Sequence, residues 1–79
     1  MKVNPSALKH GVSEPDILCA AENPVYVSEP DEDVPAKQLV LGFDHSGRLL
    51  ELMIVTFDSG HRLVIHAMKA RRRYRDLLD

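Results

Sequence analysis

The chain of 79 residues has little cysteine and few aromatic groups, with one cysteine, no tryptophan and only two tyrosines and two phenylalanines. Because the lone Cys19 has no intramolecular partner for a disulfide, we expect a protein of a reducing compartment, the cytoplasm. The apolar runs are no longer than a strand, so we expect no membrane association. The amino end shows no pattern of a secretory signal, which also indicates a soluble cytoplasmic protein.

The common signatures of cofactor and metal chemistry are also missing. The sequence has no phosphate-binding glycine loop, no dinucleotide fingerprint, no CxxC pair, no HExxH and no serine nucleophile elbow. Its four histidines, His10, His45, His61 and His66, have neither the helical spacing nor the cysteine partner typical of zinc ligands. We therefore expect neither a cofactor nor a metal ion.

The formal net charge of -2 conceals a strong segregation of charge along the chain. Residues 14–33 contain seven carboxylates and no Lys or Arg, whereas residues 62–75 contain six cations and no acid. One surface can therefore be far more positive than the overall charge suggests. The pI near 6.0 nevertheless argues against a strong nonspecific binder of nucleic acid.

Cap residues predict three short helices in one domain over residues 1–79. Asn4-Pro5 and Gly11 bound the first helix, and Ser13-Glu14-Pro15-Asp16 opens a second that Asn23-Pro24 ends. A third is predicted over 69–78, where apolar residues recur at helical spacing.

Turn residues predict the strands between these helices. A short strand at 25–27 precedes an acidic loop, and strands at 37–44, 48–57 and 62–67 are joined by two Ser-Gly hairpins. The fold class predicted is α+β: a small antiparallel sheet of three to four strands with two N-terminal helices and one C-terminal helix.

Strand alternation assigns the side chains to two faces if both hairpins close as two-residue turns. The mixed face is the candidate working surface, and on it His66 lies opposite Met53 and diagonal to Glu51. The diagonal distance is about 7–8 Å between backbones, within reach of an imidazole–carboxylate contact. The helices are expected to cover the other face, which collects nine apolar residues: Leu39, Leu41, Phe43, Leu50, Leu52, Ile54, Leu63, Ile65 and Ala67.

Metal-free RNA cleavage is the chemistry that these side chains can supply. In that reaction the ribose 2'-hydroxyl is the nucleophile, and the protein transfers protons and stabilises charge on the phosphorane. His66, oriented by Glu51, is the predicted base or acid, and Lys69 with Arg72 or Arg62 the predicted charge stabilisers. The alternative for His66 is a half-buried strand histidine whose hydrogen bond to a neighbour is purely structural.

Three segments resemble, in order and spacing, the BrnT family of type II toxin–antitoxin ribonucleases: Lys9-His10-Gly11-Val12-Ser13, Leu41-Gly42-Phe43-Asp44-His45-Ser46-Gly47-Arg48-Leu49-Leu50 and Val64-Ile65-His66-Ala67-Met68-Lys69-Ala70. The resemblance implies a RelE-like α+β fold and a metal-independent endoribonuclease that inhibits translation. It also implies a cognate antitoxin protein as partner. By position, it implies a basic surface of Lys9, His10, Arg48, Lys69 and Arg72.

Three functions are compatible with the sequence. The preferred one is the toxin of a type II toxin–antitoxin system, and its rival is a non-catalytic toxin-like module that binds a partner protein through the acidic loop or the arginine helix. Plain RNA binding is the third, although four aromatic residues offer few stacking platforms. The predicted RNA-binding residues are Lys9, His10, Arg48, Arg62, Arg71, Arg73 and Arg75.

Overall fold

The computed structural model describes residues 1–78, which form a five-stranded mixed sheet, one helix in the amino-terminal part of the chain and one short helix near the carboxyl end. The sheet has the order β1-β5-β4-β3-β2; β1 runs parallel to β5, and all other neighbours are antiparallel. The elements are β1 (Lys2–Val3), a 3-10 turn (Pro5–Leu8), α1 (Glu14–Glu22), β2 (Pro24–Val27), β3 (Ala36–Phe43), β4 (Leu49–Thr56), β5 (Arg62–Lys69), α2 (Arg72–Arg75) and a second 3-10 turn (Asp76–Leu78).

The predicted RelE/BrnT-like arrangement of two N-terminal helices, an antiparallel sheet and one C-terminal helix is wrong. The segment predicted as the first helix is only a 3-10 turn, because β5 takes the hydrogen bonds around it: the Asn4 backbone N–H donates to the Val64 carbonyl, and Ser6 Oγ to that of Ile65. The predicted C-terminal helix shrinks to α2 and a 3-10 turn, because Lys69 still belongs to β5. The sheet therefore dominates the fold.

The helix α1 begins and ends where its cap residues predict. Ser13 Oγ accepts a hydrogen bond from the Asp16 backbone N–H at 3.4 Å, and the helix stops at Glu22, before Asn23 and Pro24.

None of the helices within residues 1–78 is long and apolar enough to cross a lipid bilayer.

The pairing of β3 with β4 differs by one residue from the predicted register, which exchanges the two faces of β3. Phe43 pairs with Leu49 across a five-residue loop, because Asp44 Oδ1 accepts the backbone N–H groups of Ser46 and Arg48 at 2.9 Å each. Because this loop has five residues and the predicted one had two, each side chain of β3 faces the opposite side of the sheet from the predicted one. Val40 therefore lies in the core, where Leu39, Leu41 and Phe43 were predicted.

On the other side of β4, a β-bulge in β5 shifts part of the predicted register of β4 with β5. Met53 pairs with His66 as predicted, but Ile54 pairs with Val64, which leaves Ile65 as the extra residue. The bulge lets both Val64 and Ala67 face the core while His66 lies on the opposite face.

The hydrophobic core lies between α1, the first 3-10 turn and one face of the sheet. Ile17 and Ala20 of α1 pack there with residues of the strands and the turn: Ala7, Val12, Val40, Leu50, Leu52, Ile54, Val64 and Ala67. The helix approaches β3 closely at Gly42, where an added Cβ would overlap the Ala20 carbonyl.

We call the opposite side of the sheet the second face; strand pairing assigns to it Leu39, Leu41, Glu51, Met53, Val55, Leu63 and His66. The chain leaves β5, forms α2 and reaches β2 through the second 3-10 turn. Leu41, Glu51 and Val55 are buried there, whereas Leu39, Met53 and Leu63 are only partly buried.

Candidate active site

Glu51 is the centre of a buried polar cluster on the second face. Only 1% of this residue is exposed, and both carboxylate oxygens accept two hydrogen bonds each. Oε1 accepts from the Arg71 backbone N–H and Nε, both at 2.9 Å, while Oε2 accepts from Arg71 Nη2 at 2.8 Å and from His66 Nε2 at 3.0 Å. The guanidinium therefore holds the carboxylate in the bidentate geometry that makes charged hydrogen bonds strong.

The sheet and the turn after it bring these three residues together. The antiparallel pairing of β4 with β5 places His66 diagonal to Glu51, as the sequence predicts. The chain then turns at Ala70, which is buried and whose backbone N–H donates to the Leu49 carbonyl at 2.9 Å. This turn brings Arg71, the residue before α2, back to Glu51 near the start of β4.

The electrostatics of the cluster keep Glu51 ionised. Burial raises the pKa of the carboxyl, but the hydrogen bonds from the Arg71 side chain, the Arg71 backbone and His66 outweigh it and lower the pKa to about 2. The same pairing raises the pKa of Arg71. An ionised carboxylate can only accept hydrogen bonds, so Nε2 of His66 carries the hydrogen that joins them. In the neutral ring, Nδ1 then holds the lone pair that can take a proton.

A second imidazole lies directly beside His66. The ring centroids of His10 and His66 are 5.4 Å apart, with their planes at 77°. His10 follows the first 3-10 turn, which the hydrogen bond from Ser6 to Ile65 ties to the bulge of β5 at 2.8 Å. His66 is 26% exposed in its side chain, and His10 is exposed, so the pair lies at the protein surface.

The contact between the two histidines was not predicted, although His10 was assigned to the basic surface. The residues are far apart in the chain, and only the β-bulge together with the 3-10 turn makes them neighbours. Gly11, which was predicted to end the first helix, does adopt a positive φ of 82°.

Two of the predicted charge stabilisers do not meet His66. Lys69 follows Ala67 by two residues, so strand alternation directs it to the face opposite His66. Arg62 lies at the other end of β5, where it pairs with Thr56. Arg72 is exposed at the start of α2, next to Arg71.

The cations predicted to contact RNA separate into those that bind other residues of the chain and those that form no ion pair. Arg71 binds Glu51, and Arg48 donates to Asp44 at 2.8 Å. Arg73 stacks over the Tyr74 ring at 4.7 Å and donates to its hydroxyl. Within residues 1–78, the remaining cations predicted for phosphate contacts form no ion pair: Lys9, Arg62, Lys69, Arg72 and Arg75.

Among the residues that the structure describes, no group of three or more His, Cys, Asp or Glu could hold a metal ion. No family model, no curated protein and no solved structure matches the chain. A proposal of function therefore rests on the geometry of the Glu51 cluster and on the family resemblance of the three quoted segments.

Proposed function

We propose that the chain is a metal-independent endoribonuclease in which His66 and His10 are the acid–base pair. The observation that carries the proposal is a pair of contacts: the ionised, buried Glu51 orients His66, and His66 lies beside the exposed His10. A carboxylate that fixes an imidazole is the arrangement by which proteins position a general base.

In the proposed reaction, Nδ1 of neutral His66 takes the proton of the ribose 2'-hydroxyl while the 2'-oxygen attacks the adjacent phosphorus. The bond from phosphorus to the 5'-oxygen breaks, and protonated His10 gives its proton to that leaving oxygen. The products are a 2',3'-cyclic phosphate and a 5'-hydroxyl. Glu51 stabilises the imidazolium that forms on His66, and such proton transfer is typically worth about 10²–10⁴ in rate.

Exposed cations close to the pair in sequence supply the charge that the reaction needs. Lys9 precedes His10, and Arg72 follows the Arg71 that binds Glu51; both are exposed and without an ion-pair partner within residues 1–78. The Lys9 ammonium or the Arg72 guanidinium can approach the phosphate of a bound RNA strand, where it would stabilise the phosphorane.

The biological role proposed is that of the toxin in a type II toxin–antitoxin system, which acts on cytoplasmic RNA and inhibits translation. Support comes from the resemblance of the three quoted segments to BrnT toxins. The partner implied by that resemblance is a cognate antitoxin protein.

Expression of the chain in a host without an antitoxin tests this role. We expect growth arrest and loss of transcript integrity with the wild-type chain, and neither with His66→Ala or His10→Ala. His45→Ala is the matched control, because His45 is also an exposed histidine in a turn. Arrest that persists in both folded variants, or that disappears equally in the control, would contradict the proposal.

A non-catalytic module that binds a partner protein is the second candidate, favoured by an exposed apolar patch at the β2 edge of the sheet. Val25 and Val27 of this edge strand are about half exposed, at 48% and 50%, and the 3-10 turn beside them exposes Leu77 and Leu78. Exposed apolar patches commonly mark protein interfaces. Normal growth and intact RNA with folded protein would favour this candidate.

A further inference from the structure

A pocket of about 740 Å³ opens at the end of the second face opposite the Glu51 cluster. It is lined by Met1 and Lys2, by Phe57, and by residues 59–63 of the β4–β5 hairpin and the start of β5. Phe57 is 40% exposed and Leu63 is partly buried, so an aromatic and an aliphatic side chain form its apolar surface.

Basic residues border this apolar surface. Lys2 and Arg62 line the pocket, and within residues 1–78 neither takes part in an ion pair. Strand pairing places Lys2 on the same face as Leu63, whereas Arg62, the residue before Leu63, alternates to the other face. His61 also lines it, and its Nδ1 lies 3.0 Å from Ser59 Oγ. No acidic residue is among the lining residues, so the pocket is complementary to a ligand with an apolar ring and a negative charge.

The pocket and the histidine pair lie on the same side of the sheet. Lys2 pairs with Leu63, which pairs with Val55, and His66 follows Leu63 by three residues on the same face. Strand geometry places Leu63 and His66 roughly 10 Å apart. Partly buried Met53 lies opposite His66 on the same face. A short stretch of one nucleic-acid strand can therefore reach both.

We propose that this pocket binds one nucleotide of the RNA strand, with its base against Phe57 and its phosphate beside Lys2. The identity of the ligand as RNA rests on the function proposed above. Aromatic side chains stack on any base, and a cation beside them holds the backbone, which is the usual arrangement in proteins that bind single strands. The pocket would position the strand for cleavage at His66 without contacting the reacting atoms.

Binding of adenosine 5'-monophosphate, followed by amide chemical shifts, tests the pocket independently of cleavage, because this nucleotide contains no internal phosphodiester to cleave. We expect shifts at residues 57–63. Phe57→Ala should weaken binding at least about fivefold. Phe43→Ala is the matched control, because Phe43 is 41% exposed and lies at the opposite end of the sheet.

The phosphate contact is tested with Lys2→Gln and with adenosine as the uncharged probe. We expect Lys2→Gln to weaken binding of the monophosphate and leave adenosine binding unchanged. Equal losses in Phe57→Ala and Phe43→Ala, or shifts that map away from residues 57–63, would overturn the inference. If the chain cleaves no RNA but the nucleotide still maps to this pocket, the proposed cleavage fails and the nucleotide site stands.

Discussion

Glu51→Gln is the substitution whose effect follows most directly from the structure. The carboxyl has its pKa lowered from 4.5 to about 2, and a shift of one unit corresponds to about 1.4 kcal/mol, so the charged form stabilises the fold by about 3 kcal/mol. Glutamine keeps the shape of the side chain but places a donor amide among the donors of Arg71 and His66. We expect the free energy of unfolding to fall by about 3 kcal/mol.

Urea denaturation measures this loss as a lower midpoint with an unchanged slope. Asp33→Asn is the control: Asp33 also pairs with a cation, Lys37 at 2.7 Å, but both side chains are well exposed and the solvent screens them. The control should lose far less stability than Glu51→Gln. A loss below about 1 kcal/mol for Glu51→Gln would contradict this prediction, since it would mean that the Arg71 guanidinium contributes no more than a surface ion pair.

The pH dependence of stability provides a second readout of the same carboxylate. Because the folded pKa of Glu51 lies below the unfolded value, its contribution is fully present above the unfolded pKa and is lost as the pH falls toward about 2. The pKa values of Asp31 and Asp44 are also lowered, and they act in the same direction. The difference between wild type and Glu51→Gln isolates Glu51, and we expect that difference to shrink between about pH 5 and pH 2. A constant difference would contradict this assignment.

Two further predictions concern packing and binding. Gly42→Ala should destabilise the fold by about 1–3 kcal/mol in urea denaturation, because its Cβ would overlap the Ala20 carbonyl where α1 meets β3; an unchanged midpoint would show that the helix can move away. Binding to a 2'-deoxy strand should weaken steeply as salt increases, because exposed cations such as Lys9 and Arg72 would contact phosphates; salt-insensitive binding would show that they do not.

Local signals predicted those parts of the fold that depend on local chemistry. Ser13 and Asn23-Pro24 bound α1 because capping and proline sterics act within a few residues. The neighbourhood of Glu51 and His66 was also predicted, because the register of β4 and β5 is as expected up to Met53.

The remaining features depend on contacts between distant residues. The register of β3 depends on how the Asp44 side chain closes its loop, and the bulge at Ile65 leaves no mark in an apolar strand. The parallel strand β1 has only two residues, too few to show a periodicity. The role of Arg71 was missed as well, because a guanidinium in a run of arginines gives no sign that it folds back onto a buried carboxylate.

The chemical nature of the product ends shows whether His66 and His10 cleave RNA through the 2'-hydroxyl. Purified wild-type chain, His66→Ala, His10→Ala and His45→Ala should be incubated with one single-stranded RNA and with its 2'-deoxy counterpart, in the presence of a chelator. We expect 2',3'-cyclic phosphate ends from the wild type and from His45→Ala, with a rate at least about 100-fold lower for the other two variants and no cleavage of the 2'-deoxy strand. Undiminished cleavage by folded His66→Ala, or cleavage of the 2'-deoxy strand, would contradict the account.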